Sequence, residues 1–240
     1  MGGLNLQWSA VTDNWHQLVS GLWLTIIYTV LSSVLGMAWG TILAMGRVSV
    51  RGWVRAPATG VLELVRGVPL LVLLIWFYYA FPLLTGLSIS APVAATIALS
   101  LYASSYYGEI VRGGILSIDA GQIDAALSLG MTYGERMRRV ILPQAFRRMV
   151  PPLTNQTIIN LKNTSLASVV TIGEITYQAE DISAKTYRPI EVYTAAAVLY
   201  LILVIPTSIL ARRLELKNKR TGAYTQSRGK SVKPKVGVAG

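Results

Sequence analysis

The feature that most constrains this chain is a run without a single acidic or basic side chain, residues 67–108. The hydrocarbon core of a bilayer is about 30 Å thick, and an α-helix needs roughly 20 mostly apolar residues to cross it. The run is therefore long enough for two crossings. Turn and helix-entry residues, Phe81-Pro82, Thr85-Gly86 and Ala91-Pro92, lie in its middle and predict a short hairpin between two helices.

A second long run, residues 14–46, carries no charge apart from His16. With 52% hydrophobic and only 14% charged residues, the composition excludes an ordinary soluble domain. We predict an all-α integral membrane protein with five transmembrane helices. They lie near residues 19–45, 57–81, 92–116, 149–172 and 192–213, within a transmembrane domain of residues 19–214.

The net charge of +11 is concentrated in three segments. Three arginines follow the first span, five lie within residues 136–148, and nine basic residues lie within 212–235. The positive-inside rule places such segments in the cytosol, with anionic lipid headgroups as neighbours. Residues 1–18 are then an external segment, and residues 215–240 a basic cytosolic tail whose composition predicts disorder. Five crossings give the same orientation, with the amino terminus outside.

The fourth predicted span is unusually polar. It contains Pro151-Pro152, Asn155, Gln156, Asn160 and Lys162. A helix of this composition is expected to face protein or water, because lipid cannot satisfy its polar groups.

The segment of residues 118–148, between the third and fourth spans, is too polar to cross a membrane. Residues 122–129 predict a short helix that ends at Gly130, which favours the left-handed turn after a helix. Thr132 and Glu135 have the spacing of a capping box at the start of a second helix. Leu142-Pro143 is expected to end that helix and to begin the next one. Two short helices with a fixed bend suit docking into a groove of a partner.

The spacing in this segment resembles the EAA loop of bacterial ABC-importer permeases, E-A-A-x3-G-x9-I-x-L-P. Asp124 replaces the usual Glu and Val140 the usual Ile, and all the spacings match. The resemblance implies that this loop couples the permease to an ATPase. The coupling residues would be Gln122, Asp124, Ala125, Ala126, Gly130, Val140, Leu142 and Pro143. Without the full spacing, an ordinary amphipathic surface helix would be the simpler interpretation.

Flanking sequences are similar to those of the polar amino acid permeases. Among them are the segments 107–115, 142–145 and 162–166. The resemblance implies a subunit of the bacterial inner membrane that pairs with an identical or related permease. It also implies a cytosolic ABC ATPase dimer and an external substrate-binding protein as partners. The aromatic residues 76–79 and 106–107 are most similar to permeases for glutamate and aspartate, which is the weaker part of the resemblance.

Charged side chains within the spans are candidates for a substrate pathway. Glu63 and Arg66, and likewise Glu109 and Arg112, are three residues apart, so each pair can lie on one helix face and either lock helices together or contact substrate. Lys162 lies inside the fourth span and needs a carboxylate or water. It could pair with Glu63 or Glu109, or meet the substrate together with its polar neighbours. These neighbours are Asn160 and Thr164.

Several motifs are missing or weak. No complete phosphate-binding loop is present, so ATP and Mg²⁺ are expected on a partner ATPase, and the chain is not expected to be an enzyme. With one histidine and no cysteine, we predict no metal site or cofactor in this chain. The Gly36-x-x-x-Gly40 spacing predicts close helix packing, within the subunit or between subunits. An ATP-independent secondary transporter or channel is the alternative function.

Overall fold

The computed structural model describes residues 6–229, with side chains as far as 213 and at 216. The described chain is helical throughout. Its α-helices are α1 Ser9–Thr12, α2 Trp15–Val48, α3 Gly52–Gly67, α4 Leu70–Ile75, α5 Phe81–Thr85, α6 Ala91–Leu116, α7 Ala120–Ser128, α8 Tyr133–Arg136, α9 Leu142–Asn163, α10 Ile175–Thr186 and α11 Pro189–Gly229. Two π-helical turns, Trp76–Ala80 and Met137–Ile141, and a 3-10 helix, Thr164–Val170, lie between them.

Two helices, Trp15–Val48 and Pro189–Arg213, are long and apolar enough to be continuous spans, and they contain the first and fifth predicted spans. The third predicted span coincides with α6. That helix buries mainly Ala, Ser and Gly against its neighbours, which explains why it is less apolar than a helix surrounded by lipid.

The central helix pair is α2 with α6, and glycines bring the two backbones together. A Cβ added to Gly40 would lie 2.5 Å from the carbonyl oxygen of Ser104 and 2.7 Å from the backbone nitrogen of Gly108. At Gly36 it would lie 2.8 Å from Cβ of Ala103. The predicted close packing of the Gly36-x-x-x-Gly40 motif is thus confirmed, and it occurs within the subunit.

The second predicted span, residues 57–81, is not one straight helix. The axis bends by 101° between α3 and the segment Leu70–Thr85. The physical reason is Val68-Pro69: the residue before a proline is pushed out of helical geometry, and Val68 is extended with φ −101° and ψ 130°. The prediction of one continuous helix over these residues was wrong, because α3 has a different direction from the helix that follows it.

Prolines at two other places are accommodated within a helix. The π-helical turns end immediately before Phe81-Pro82 and Leu142-Pro143. In each turn the amide of the residue before proline bonds five residues back, to Trp76 or Met137. Proline has no backbone N–H group, and its ring would clash with the carbonyl group of the preceding helical turn. The wider π turn gives room for both groups. The predicted helix end at Leu142-Pro143 was therefore wrong, because α8, the π turn and α9 are continuous.

The fourth predicted span begins earlier than expected, at Leu142, and its last part is the 3-10 helix, followed by Thr171 with φ 62°. The helix α11 extends to Gly229, so residues 215–229 differ from the predicted disordered tail. Their Leu, Lys, Glu and Arg residues favour helix and continue it beyond the candidate span, which ends at Arg213. The rest of that predicted tail, residues 230–240, lies outside the described residues.

Candidate functional site

The predicted coupling loop forms a short helix with capped ends. Asp119 caps α7 by accepting a hydrogen bond of 2.8 Å from the amide of Gly121. Gly130 has φ 72°, the left-handed conformation expected after the helix. Both predicted ends of this helix agree with the structure to within about two residues, the usual uncertainty of helix bounds.

A capping box starts α8, as predicted. The hydroxyl of Thr132 accepts from the amide of Glu135 at 3.4 Å, and the Glu135 carboxylate accepts from the amide of Thr132 at 3.0 Å. The Thr132 hydroxyl also donates to this carboxylate at 2.9 Å, and the two hydrogen bonds that Thr132 donates hold the pKa of Glu135 below its ordinary value. The capping box fixes the start of α8, directly after the left-handed turn at Gly130.

The exposed surface of the loop combines small, apolar and polar side chains. Ala126 is buried, whereas Gln122, Asp124, Ala125 and Gly130 are exposed. Val140 is half-buried, and Leu142 and Pro143 are exposed. Sequence reasoning did not single out three large apolar side chains beside them, which are also exposed. These are Leu127 (52%), Leu129 (76%) and Tyr133 (65%).

Beneath the loop, a hydrophobic cluster connects it to the ends of two long helices. Ile118, Ile141 and Met149 are buried together with Ala44 of α2 and Val111 of α6. Ile123 of α7 packs against the same cluster. A Cβ added to Gly114 would overlap the side chain of Met149, so α6 and α9 approach closely here. The loop cannot shift without pushing on α2, α6 and α9, because a packed core transmits displacement.

An ionic cluster lies beside this core and joins α2, α3 and α6. Glu109 accepts from Arg47 at 2.7 Å and from Arg112, and it lies 3.7 Å from Arg66. Glu63 contacts Arg47 at 3.3 Å and Arg66 at 3.8 Å. Three guanidinium groups and two carboxylates give the cluster one net positive charge.

Both predicted Glu-Arg pairs of this ionic cluster are formed, and they meet in one place. Sequence reasoning missed Arg47, which is the member that joins both pairs; its side chain is only 13% exposed. Arg47 lies at the end of the first predicted span. From the sequence, that position indicated only which side of the membrane the residue faces.

Asn160 and Thr164 of the fourth predicted span face the interior. The Asn160 amide donates to the hydroxyl groups of Ser32 at 2.8 Å and Ser33 at 2.9 Å, both on α2. Thr164 is fully buried and donates to the carbonyl of Leu161. The Asn160 amide holds α9 against α2, so the helix faces protein on this side, as its polarity predicts.

Lys162 lies on the opposite side of the same helix and is exposed, as is Asn155. The alternative that Lys162 pairs with Glu63 or Glu109 is not realised, because no salt bridge among the described side chains joins them. Those carboxylates lie beside arginines instead. The structure thus separates the predicted pathway residues into an ionic cluster, a buried amide and an exposed lysine.

Comparisons with known proteins agree on one family. The profile described as binding-protein-dependent transport system inner membrane component matches residues 33–220. The glutamine transport system permease protein GlnP of Escherichia coli (strain K12) is 37% identical over 218 residues, which cover 90% of this chain and 99% of that protein. The glutamate/aspartate import permease protein GltK of Escherichia coli O6:H1 is 36% identical over 215 residues, covering 87% and 96%.

A solved structure has the same fold. The crystal structure of an amino acid ABC transporter with histidines contains a chain that is 34% identical and superposes with a TM-score of 0.85. The match covers 89% of this chain and all of that one. The family profile matches well over half of the chain, and the relatives match nearly end to end. This chain therefore belongs to the family of inner membrane components of binding-protein-dependent transport systems.

Proposed function

We propose that the chain is the permease subunit of a binding-protein-dependent ABC importer for a polar amino acid. The observation that carries this proposal is the capped α7–α8 loop, which rests on a core shared with α2, α6 and α9, in a chain whose relatives are named as glutamine and glutamate/aspartate permeases. In the proposed assembly, five helical spans pair with an identical or related permease. A cytosolic ATPase dimer supplies ATP and Mg²⁺, and an external binding protein delivers substrate.

The loop is the proposed contact with the ATPase. Leu127, Leu129 and Tyr133 expose a large apolar area around the small residues of α7, as expected of a surface that a partner covers. Gly130 keeps α7 and α8 at a fixed angle. A push on α7 would pass through Ile123 and Met149 to the helices that line the pathway. ATP-driven motion of the partner is thereby converted into reorientation of the spans.

Replacing Gly130 by Val tests the coupling role. A β-branched residue at φ 72° is strained, so the bend between α7 and α8 must change. We expect substrate-stimulated ATPase activity and uptake in proteoliposomes to fall together, while the permease still assembles in the membrane. Gly134→Ala is the matched control, because a Cβ there meets nothing within 4 Å. Unchanged uptake in Gly130→Val would contradict the coupling role, and uptake without any ATPase would favour the secondary transporter instead.

We place the substrate pathway on the exposed face of α9. Lys162 and Asn155 lie there, in a span that lipid would not tolerate on this side, so water or a facing subunit must cover them. An ammonium group can bind the carboxylate that every amino acid carries. The ionic cluster, with its one net positive charge, is better suited to locking α2, α3 and α6 than to binding substrate, because each carboxylate already lies beside arginines.

Lys162→Met tests this assignment. If the ammonium group binds the substrate carboxylate, uptake falls, and the substrate concentration for half-maximal stimulation of the ATPase rises. A loss of about 1.5–3 kcal/mol, or ten-fold or more in that concentration, is typical for a hydrogen bond to a charged group. Lys185→Met, on the exposed surface of α10, is the control. A separate competition experiment measures how far unlabelled glutamine or aspartate reduces the uptake of labelled glutamate. It decides between glutamine and glutamate/aspartate, the substrates for which the relatives are named. An unaltered Lys162→Met variant would remove this residue from the path.

A further inference from the structure

The helix α3 follows a helix that is longer than the hydrocarbon core of a membrane is thick. The preceding helix α2 has 34 residues, so it is about 51 Å long and exceeds the hydrocarbon thickness. It ends at Val48, and α3 begins at Gly52, so α3 starts where α2 leaves the bilayer. The bend of 101° to the next segment then turns the chain back into the membrane. The end of α2 on one side and this bend on the other make α3 suited to the level of the headgroups.

Three faces of α3 can be distinguished. One is buried against α2 and α6 and consists of Ala58, Leu62 and Val65. The second is polar and includes Glu63 and Arg66 of the ionic cluster. The third is apolar and exposed; its residues follow one another at helical spacings of four, four and three. They are Trp53, Pro57, Val61 and Leu64.

The apolar side chains of the third face are more exposed than is usual on the surface of a soluble protein. Trp53 is 75% exposed and Leu64 is 68% exposed, and Val50, just before the helix, is 95% exposed. No described part of the chain covers them. A tryptophan at a membrane boundary is favourable because its ring is apolar and its N–H group can bond in the headgroup layer.

Charge indicates which lipid lies there. Arg51 and Arg55 are exposed, and neither forms a salt bridge with a described carboxylate. By contrast, the guanidinium groups of Arg47 and Arg66 lie beside Glu63 and Glu109. Arg51 precedes the helix and Arg55 lies on its polar side, while the opposite side carries the apolar face with its tryptophan. A basic polar side and an apolar side with a tryptophan form the combination by which amphipathic helices bind anionic bilayers.

We infer that α3 is an interfacial helix that binds anionic phospholipid headgroups through Arg51 and Arg55 while Trp53 and Leu64 enter the acyl boundary. The occupant of this face is the bilayer, in the leaflet that the proposed topology makes cytosolic. The phosphodiester of phosphatidylglycerol accepts hydrogen bonds from the two guanidinium groups. Because Glu63 and Arg66 lie on the adjacent face of α3, binding of this helix to lipid would also hold the ionic cluster in place. This role does not depend on which solute is transported.

Fluorescence quenching locates Trp53. The full-length chain and its Trp53→Phe variant are reconstituted in nanodiscs that contain phosphatidylcholine brominated either near the headgroup or near the chain end. The difference between the two proteins isolates the emission of Trp53. We expect shallow bromines to quench it more strongly than deep ones. Absence of quenching by either lipid would mean that a protein surface, such as a second permease subunit, covers this face, and would overturn the inference.

Lipid competition tests the arginines. The preference for phosphatidylglycerol over phosphatidylcholine is measured by native mass spectrometry of the full-length chain, its Arg51→Gln/Arg55→Gln variant and an Arg138→Gln/Arg139→Gln control with the same loss of charge. We expect the first variant to lose about five-fold in preference per arginine, and the control to be unchanged. Equal losses in both variants would show a general charge effect, and no loss would remove the headgroup site. Both outcomes contradict the inference, whichever solute the importer carries.

Discussion

At the scale of single residues, the close approach of α2 and α6 depends on glycines, which carry a hydrogen atom in place of a side chain. The backbone of Gly40 lies against Ser104 and Gly108, so that even one methyl group would overlap a carbonyl oxygen at 2.5 Å. Gly60, in contrast, is a helical glycine with open space around it. The two glycines have the same intrinsic cost in a helix and opposite surroundings.

Gly40→Ala is therefore expected to destabilise the protein although alanine favours helix. Forcing α2 and α6 apart costs about 1–3 kcal/mol, the usual range for overpacking. Gly60→Ala is the matched control and should gain up to about 1 kcal/mol from helix propensity. Unfolding in mixed micelles, titrated with a denaturing detergent, measures both. Similar stability of the two variants would contradict the close packing of the central pair.

At the scale of elements, a buried carboxylate fastens α10 to α11. Glu174 is fully buried at the start of α10, where it accepts from the amide of Tyr177 at 3.0 Å and from the hydroxyl of Tyr200 at 2.5 Å. Tyr200 also contacts the hydroxyl of Thr176 at 3.0 Å. The local sequence does not indicate the burial of Glu174, since its partner Tyr200 lies 26 positions away. Its burial makes the tyrosine hydroxyl essential to the attachment of α10.

Tyr200→Phe removes one donor from this buried carboxylate. Leaving such a group without its partner costs about 1–3 kcal/mol, so α10 should open more easily. Amide hydrogen exchange of residues 175–186 measures the opening. Tyr193→Phe is the control on the same helix, since the Tyr193 side chain is 45% exposed. If the two variants exchange at the same rate, the hydrogen bond from Tyr200 does not hold α10 in place.

At the scale of the whole molecule, the charge distribution predicts which loops face the cytosol. The chain contains no cysteine, so each introduced cysteine is a unique reporter. Asp13, Lys185 and Ser128 are exposed and suit this purpose. An impermeant maleimide should label Asp13→Cys and Lys185→Cys on intact cells, but Ser128→Cys only after permeabilisation, because the basic loop is retained inside. Labelling of Ser128→Cys on intact cells would reverse the proposed topology.

Much of the fold and of the coupling loop could be predicted because the relevant signals are local. Hydropathy marks a span within about 20 residues. The caps at Gly130 and at Thr132–Glu135 depend on side chains at most three residues apart. The same holds for the Glu63–Arg66 and Glu109–Arg112 pairs. The sequence by itself therefore determined the membrane class, the ends of α7 and the start of α8.

The tertiary structure decided what depends on distant residues. Arg47 bonds Glu109 across 62 positions of the chain, and Asn160 bonds Ser32 across 128, so neither contact has a local signal. Proline has opposite effects at two places: the chain bends at Val68-Pro69, whereas the helix continues through Leu142-Pro143. A proline limits the backbone, but packing around it determines whether the helix turns away or widens by one residue and continues.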